Sequence, residues 1–454
     1  MLKWKEVETI LSLNQKRLFR INTYYKVFRR FSNQNDIYCS DSDDEVVAIC
    51  NNPKARKKNK KMSHKEMLNT YFESNQMRLK VKDLLPEECF SLKKNADFLY
   101  LIDPLNAKKV TSCILPYLKQ DTSKIIAECT PGLGLISKDL LKNGIEAIRL
   151  YEPIPKFRDH LKHLHTLYPG KVQLFTKSLF NLSSYFYIDK MDNGNRVDQL
   201  LRGIPKISWN NAPVLTIIGS TTNTQFLRHL AKALPMQTGL VAYGRFEMFL
   251  MMKPRDYVVL TADVPLDFLS FGYMTILFNL FFDYEIIEKL PRRAFLPWES
   301  ETKYMAKHKV RKIDPDKMYL VRAVWKSDLP LPVEQLMFFY HFAKQFYGSR
   351  TKVVPTLETW VPGCGEHVIC PKLQHDDYYE DMGIHTEFGD LNPNQILGVF
   401  KEMYHHPSFG GSPFLGMVEA ELIKSETIES KSNVISSDLE KNIVNDIEVN
   451  LNET

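Results

Sequence analysis

The sequence of 454 residues predicts an α/β fold with a mostly parallel sheet covered on both faces, and three observations carry that prediction. Short apolar runs alternate with helix-length amphipathic segments through the middle of the chain. One of these runs, Ile125, Ile126 and Ala127, passes directly into the turn Thr130-Pro131-Gly132-Leu133-Gly134. The next run ends on an acid, Glu152, about 20 residues after the turn, a spacing used for nucleoside cofactors. Strands alternating with helices put parallel neighbours in one sheet and the crossover helices on its faces. Beyond the carboxyl ends of such strands, glycines let the backbone approach a ligand closely, and an acid on the next strand accepts hydrogen bonds from ribose hydroxyls. A plain tight turn at Gly132 and Gly134, and a solvated strand end at Glu152, are the alternative readings.

Taken in order, the chain starts with an acid-free stretch at residues 9–35 that carries Lys16, Arg17, Arg20, Lys26, Arg29 and Arg30 among Leu11, Leu18, Phe19, Ile21, Tyr25 and Phe28. That composition is a mitochondrial presequence pattern, assigned to residues 1–32; an ordinary basic surface helix is the alternative, and Glu6 and Glu8 count for it. Residues 33–75 read as a charged linker, first acidic and then basic, with too few apolar residues to hold a fold. The α/β domain is expected at 76–330. Its short strands are expected at 125–127, 147–150, 172–175, 214–218 and 240–243, with further sheet at 246–252 and 318–325. Helices are expected at 136–142, 156–167 and 224–234. Residues 268–282 hold no charge but are shorter than the roughly 20 needed to span a bilayer, and read as a buried helix. A smaller helical domain follows at 331–414, announced by Leu336, Phe338, Phe339, Tyr340, Phe342, Phe346 and Tyr347. The aromatic-free, acidic residues 415–454 read as a disordered tail.

Composition excludes some classes. Seven scattered cysteines do not form the framework of a disulfide-stapled secreted domain, and a formal charge of +6 fits a nucleic-acid partner without requiring one. Cys364, His367, Cys370 and His375 have zinc-type side chains, but their spacing matches no zinc module and the surrounding Pro and Gly imply an irregular loop. His405 and His406 before Pro407 read as a helix end. Arg292-Arg293 and the run Lys303, Lys307, His308, Lys309, Arg311 and Lys312 form a basic stretch that is either a solvated face or a nucleic-acid contact.

The pattern Glu128-x-x-Pro131-Gly132-x-Gly134 with the strand-end Glu152 resembles the cofactor motifs of the ribosomal RNA adenine dimethylase family. The preceding segment, from Tyr100 through Leu101, Ile102, Asp103 and Pro104 to Ala107, is similar to the one that packs over the methionine end of that family's cofactor. Tyr243-Gly244-Arg245-Phe246-Glu247, Leu296-Pro297-Trp298 and a helix at 338–350 resemble its divergent mitochondrial branch, the mitochondrial transcription factor B proteins, with the second paralogue the nearer. The resemblance covers residues 98–409. It implies a class I S-adenosylmethionine methyltransferase (Rossmann-like) fold with a smaller helical C-terminal domain. It also implies cofactor contacts at Leu101, Thr130, Gly132, Gly134, Glu152 and Ser178.

The same resemblance exposes departures. Active members carry Gly-Asn-Leu-Pro-aromatic after the fourth strand, where this chain has Gly219-Ser220-Thr221-Thr222-Asn223. Ser220 stands for the Asn that orients the adenine amine, and Asn223 for the ring that stacks on the flipped base, a platform worth about 1–3 kcal/mol. Ser178 replaces an Asp that reads the cofactor's adenine, Thr130 replaces the first Gly of the turn, and Phe98-Leu99 replace Gln-Asn. The resemblance therefore implies weak S-adenosylmethionine binding at most. It favours a transcription initiation factor of the mitochondrial matrix and nucleoid, with mitochondrial RNA polymerase and melted promoter DNA as partners. The rival is an active dimethylase of mitochondrial small-subunit ribosomal RNA.

Overall fold

The computed structural model describes residues 62–93, 96–263, 270–299, 314, 316–345, 350–369 and 382–431. The presequence and most of the linker, the basic run from Lys303 to Lys312, Phe346, Tyr347, Cys370, His375 and the tail beyond 431 lie outside the described residues.

The strands are β1 (Tyr100–Leu101), β2 (Ile125–Cys129), β3 (Ile148–Tyr151), β4 (Val172–Phe175), β5 (Leu215–Ser220), β6 (Phe246–Met252), β7 (Phe282–Pro291), β8 (Phe295–Leu296) and β9 (Lys317–Trp325). Seven of them form one sheet in the order β4-β3-β2-β5-β6-β9-β7, and β1 pairs with β8 in a separate two-stranded ribbon. β4, β3, β2, β5 and β6 run parallel, and β9 is antiparallel to both of its neighbours. β5 and β6 are buried along their whole length, as strands covered on both faces must be, and they are mostly apolar, with Thr216, Ser220 and Glu247 as buried polar exceptions. β7 is an edge strand with a bulge between Ile286 and Glu288, and it exposes Asp283, Glu285 and Lys289.

The helices are α1 (His64–Glu73), α2 (Gln76–Lys82), α3 (Pro104–Gln120), α4 (Leu135–Lys142), α5 (Pro155–Leu167), α6 (Leu182–Asp192), α7 (Arg196–Leu201), α8 (Gln225–Met236), α9 (Pro254–Thr261), α10 (Tyr273–Phe281), α11 (Val333–Lys344), α12 (Val353–Trp360), α13 (Cys364–Ile369), α14 (Pro393–His405) and α15 (Pro413–Lys431). Local sequence fixes their starts. Asp103 caps α3 by accepting from the Leu105 amide, with Pro104 in the first turn, where its missing N–H is harmless. α8 buries Phe226, Leu227, Leu230, Ala231 and Leu234 along one stripe. The core under β5 and β6 continues without a break into α11 and α14 through Phe339, Phe342 and Phe400.

Several expectations need correction. Residues 240–243 are a 3-10 turn rather than a strand: left-handed Gly239 and Gly244 bracket an apolar run whose Leu240 and Val241 are buried all the same. A short apolar run cannot reveal by periodicity which element it forms. The helix expected across 268–282 is α10, which passes at Phe282 straight into β7. α1 lies inside the range assigned to the linker, because Ser63 and Glu66 form a capping box and Leu68 and Phe72 are buried. α15 crosses into the range assigned to the tail, with Phe414 and Val418 buried one turn apart. The helix expected at 338–350 ends at Lys344. Cys364 and His367 lie on α13, not in an irregular loop, and the described residues contain no group of three or more His, Cys, Asp or Glu arranged to hold a metal. Among the described residues no helix is long and apolar enough to cross a membrane.

Candidate functional site

In an open α/β sheet the crevice lies beyond the carboxyl ends of the strands where the order reverses, here between β2 and β5. Cys129 and Gly219 are paired at that point. The turn after β2 holds Thr130 at φ +54°, Gly132 at +57° and Gly134 at +64°. Left-handed backbone is natural for the two glycines but strained for a β-branched residue, so Thr130 keeps a glycine's conformation without a glycine's freedom. Its hydroxyl donates to the Cys129 carbonyl at 2.6 Å. Gly134 then opens α4, and any Cβ there would lie 2.8 Å from Leu161 Cδ2.

Glu152, at the end of β3, has no exposed surface. Its Oε2 accepts from the Gly132 amide at 2.9 Å, and its Oε1 accepts from the Ile154 amide at 2.9 Å and the Tyr100 hydroxyl at 3.0 Å. Burial pushes this carboxyl up to about 7, against the pull of the three hydrogen bonds. Glu128 is buried beside it and accepts from the Ser137 hydroxyl, and burial pushes it up to about 8. The Cys129 thiol is raised well above its ordinary value by burial, which removes it as a nucleophile.

The other positions fall around the same cleft. Leu101, Thr130 and Ser220 line one small cavity together with Glu128, Gly219 and Met251, and it holds about 10 Å³, room for a single water. Ser220, almost fully buried, donates to Met251 Sδ at 3.9 Å. Asn223 is exposed, and its Oδ1 accepts from the Gln225 amide at 2.7 Å at the start of α8. Ser178 is fully buried and accepts from the Phe180 amide at 3.2 Å, capping a 3-10 turn. Sequence reasoning did not single out Tyr100 or Ser137 as site residues. Tyr100 belongs to the motif segment running to Ala107, but nothing local marks its hydroxyl as the partner of a residue 52 positions on.

A larger cavity of about 270 Å³ opens at the amino ends of β2 to β4, away from the strand ends that bind ligands. Two of its cations are already committed, Arg149 to the carbonyls of Arg202 and Gly203 and Lys124 to Glu247.

A seven-stranded sheet with only β9 reversed, inserted between β6 and β7, together with the glycine turn and strand-end acid, defines a class I S-adenosylmethionine methyltransferase fold. No family model matches the chain. It is 31% identical over 385 residues to "Dimethyladenosine transferase 2, mitochondrial" of Drosophila melanogaster, covering 77% of this chain and 85% of that one. It is 22% identical over 240 residues to the Homo sapiens protein of the same name, covering 51% and 60%. Among solved structures it is similar to the 23S rRNA methyltransferase ErmE, at 13% identity over 67% of this chain and 99% of that one with a TM-score of 0.42. A dimethyladenosine transferase from Plasmodium falciparum is similar at 12% identity over 65% and 96%, with a TM-score of 0.40. The chain belongs to the mitochondrial dimethyladenosine transferase 2 family.

Toward S-adenosylmethionine, the cofactor of this fold class, the cleft keeps Gly132, Gly134 and Glu152, but its polar side chains are engaged within the chain. Three internal donors occupy the carboxylate that would take the ribose, Ser178 is turned to its own backbone, and the cavity at the methionine end is about one water in size.

Proposed function

We propose that this chain is a mitochondrial transcription initiation factor in which a methyltransferase fold serves as a scaffold, assisting mitochondrial RNA polymerase to melt promoter DNA in the matrix nucleoid. The observation that carries the reading is the use made of the two residues at the target end. Ser220 is turned to a sulfur, and Asn223, one residue ahead of the N-cap Thr224, accepts from the Gln225 amide at the start of α8. An adenine-modifying site needs an oriented acceptor for the amine and a ring to stack on the flipped base, and neither residue supplies one. On this reading S-adenosylmethionine binds with a high-micromolar constant at best, roughly −5 to −6 kcal/mol. Mitochondrial placement rests on the names of the fly and human relatives and on the acid-free basic composition of residues 9–35.

The second reading, an adenine dimethyltransferase of small-subunit ribosomal RNA, is favoured by the fly relative's name and by the retained Gly132, Gly134 and Glu152. One experiment separates the two. Run-off transcription by the mitochondrial polymerase is measured with and without the protein, beside transfer of labelled methyl groups to small-subunit RNA. Polymerase-dependent stimulation without methyl transfer is expected, together with binding to bubble DNA that is tighter than to duplex and falls steeply with salt. Robust adenine methylation with no stimulation of transcription overturns the factor reading.

A further inference from the structure

We infer that Tyr100 is the residue that excludes an adenosine-type cofactor from this chain: its hydroxyl takes the place of a ribose hydroxyl on Glu152, and its ring covers the glycine turn. The inference deepens the reading above and rests on it. The hydroxyl donates to Glu152 Oε1 at 3.0 Å, an oxygen that already accepts from the Ile154 amide. A carboxylate offers about four acceptor positions, and three are filled from within the chain, so a ribose presenting two hydroxyls meets one vacancy. The ring acts separately. A Cβ on Gly132 would lie 2.8 Å from Tyr100 Cδ1, so the close approach that glycine permits at this turn is occupied by the tyrosine.

Tyr100 is held in that place from several sides. β1 pairs Tyr100 with Leu296, the ring packs 4.5 Å from that of Phe157, and Leu68, Phe72, Leu85 and Trp298 complete the apolar cluster around it. Three residues along, Asp103 is bonded to Arg78 of α2 and Tyr71 of α1, which fixes the segment bearing Tyr100 to the two N-terminal helices. Swinging the ring out to admit a nucleoside would break a buried hydrogen bond and open this cluster.

The test is calorimetric titration of the full chain with S-adenosylmethionine and, separately, S-adenosylhomocysteine. Tyr100→Phe removes only the hydroxyl and should tighten binding about threefold to tenfold, the worth of one hydrogen bond. Tyr100→Ala removes the ring as well and should tighten it more than about tenfold, and adding Glu152→Ala should abolish the gain. Cooperative thermal unfolding is checked for each variant; if Tyr100→Ala does not fold, the phenylalanine variant decides alone. A folded Tyr100→Phe with unchanged affinity, or wild-type protein that already binds with a submicromolar constant, overturns the inference. Wild-type protein that binds the cofactor tightly yet stimulates run-off transcription would sink the role of Tyr100 and leave the factor reading standing.

Discussion

Asp103, two residues past the Tyr100–Leu101 strand, and Glu152, hydrogen-bonded to Tyr100, are both fully buried carboxylates, yet their surroundings differ in kind. Asp103 faces a charge: the Arg78 guanidinium reaches it at 2.8 Å, and the Tyr71 hydroxyl, the Asn106 amide and the Leu105 N–H fill its remaining positions. Glu152 receives only a phenol and two backbone amides. A buried anion compensated by a cation serves as a rivet, here joining the N-terminal helices to the start of α3. A buried carboxyl without such a partner is held by neutral donors and carries a raised proton affinity. The difference separates a carboxylate that ties the N-terminal helices to α3 from one that holds the glycine turn through neutral donors.

The comparison is broken most directly at the rivet. Asp103→Ala strands the Arg78 guanidinium and removes the cap of α3, and it should cost roughly 3–5 kcal/mol, because deleting one partner of a buried pair leaves the other uncompensated. The lower end is expected, since the Arg78 side chain keeps 23% of its surface exposed. Urea unfolding measures this. A loss under about 1 kcal/mol, the range of exposed pairs, would mean that the N-terminal helices are not anchored through Asp103.

The second prediction concerns the other carboxyl and works through pH. Glu152 and Glu128 stand at about 7 and about 8 in the folded chain, against 4.5 unfolded, so the folded state holds their protons more tightly. Their contribution is therefore full below about pH 4.5 and is lost as pH rises through 7 to 8, which makes alkaline pH the destabilising direction. For Glu152 the span amounts to roughly 3 kcal/mol. Thermal unfolding followed from pH 5 to 8.5 should show a falling midpoint, and Glu152→Gln should flatten that fall even though it loses one acceptor. An unchanged slope in the variant would place the titration elsewhere.

The contrast between these two sites also marks what was legible in the sequence. The parallel strands at β2 to β6 and the glycine turn could be read because both depend on local pattern: short, mostly apolar runs, and glycines where the backbone turns left-handed. Residues 240–243 misled because an apolar run between two glycines is compatible with either a buried strand or a buried turn. α1 was hidden by the charged composition around it, although Ser63 and Glu66 carry a capping signal. The cleft was readable as a set of positions, Glu152, Gly132 and Thr130 among them, but not as a set of contacts. Tyr100 meets Glu152, and Arg78 meets Asp103, only through tertiary packing between segments 52 and 25 residues apart.

The smallest effect sharpens the comparison at the target end of the cleft. On the proposed reading Asn223 takes the place of an aromatic platform, and its Oδ1 accepts from the Gln225 amide, one of the free donors at the start of α8. Asn223→Ala should therefore cost about 1 kcal/mol, the usual net worth of one hydrogen bond, whereas Asn223→Asp should be tolerated, because a carboxylate accepts the same bond and is favoured by the positive end of the helix. Asn223→Tyr introduces a ring but forfeits this hydrogen bond, so it should match the alanine variant in stability and gain no methyl transfer while Ser220 and Thr130 remain. Ser220→Ala should change stability by less than about 0.5 kcal/mol, since a thioether is a weak acceptor. Chemical denaturation of the four variants, with methyl transfer measured on each, distinguishes a residue retained for the fold from one retained for catalysis. An Asn223→Ala protein of unchanged stability would remove the role of this hydrogen bond and return that side chain to the list of candidates for nucleic-acid contact.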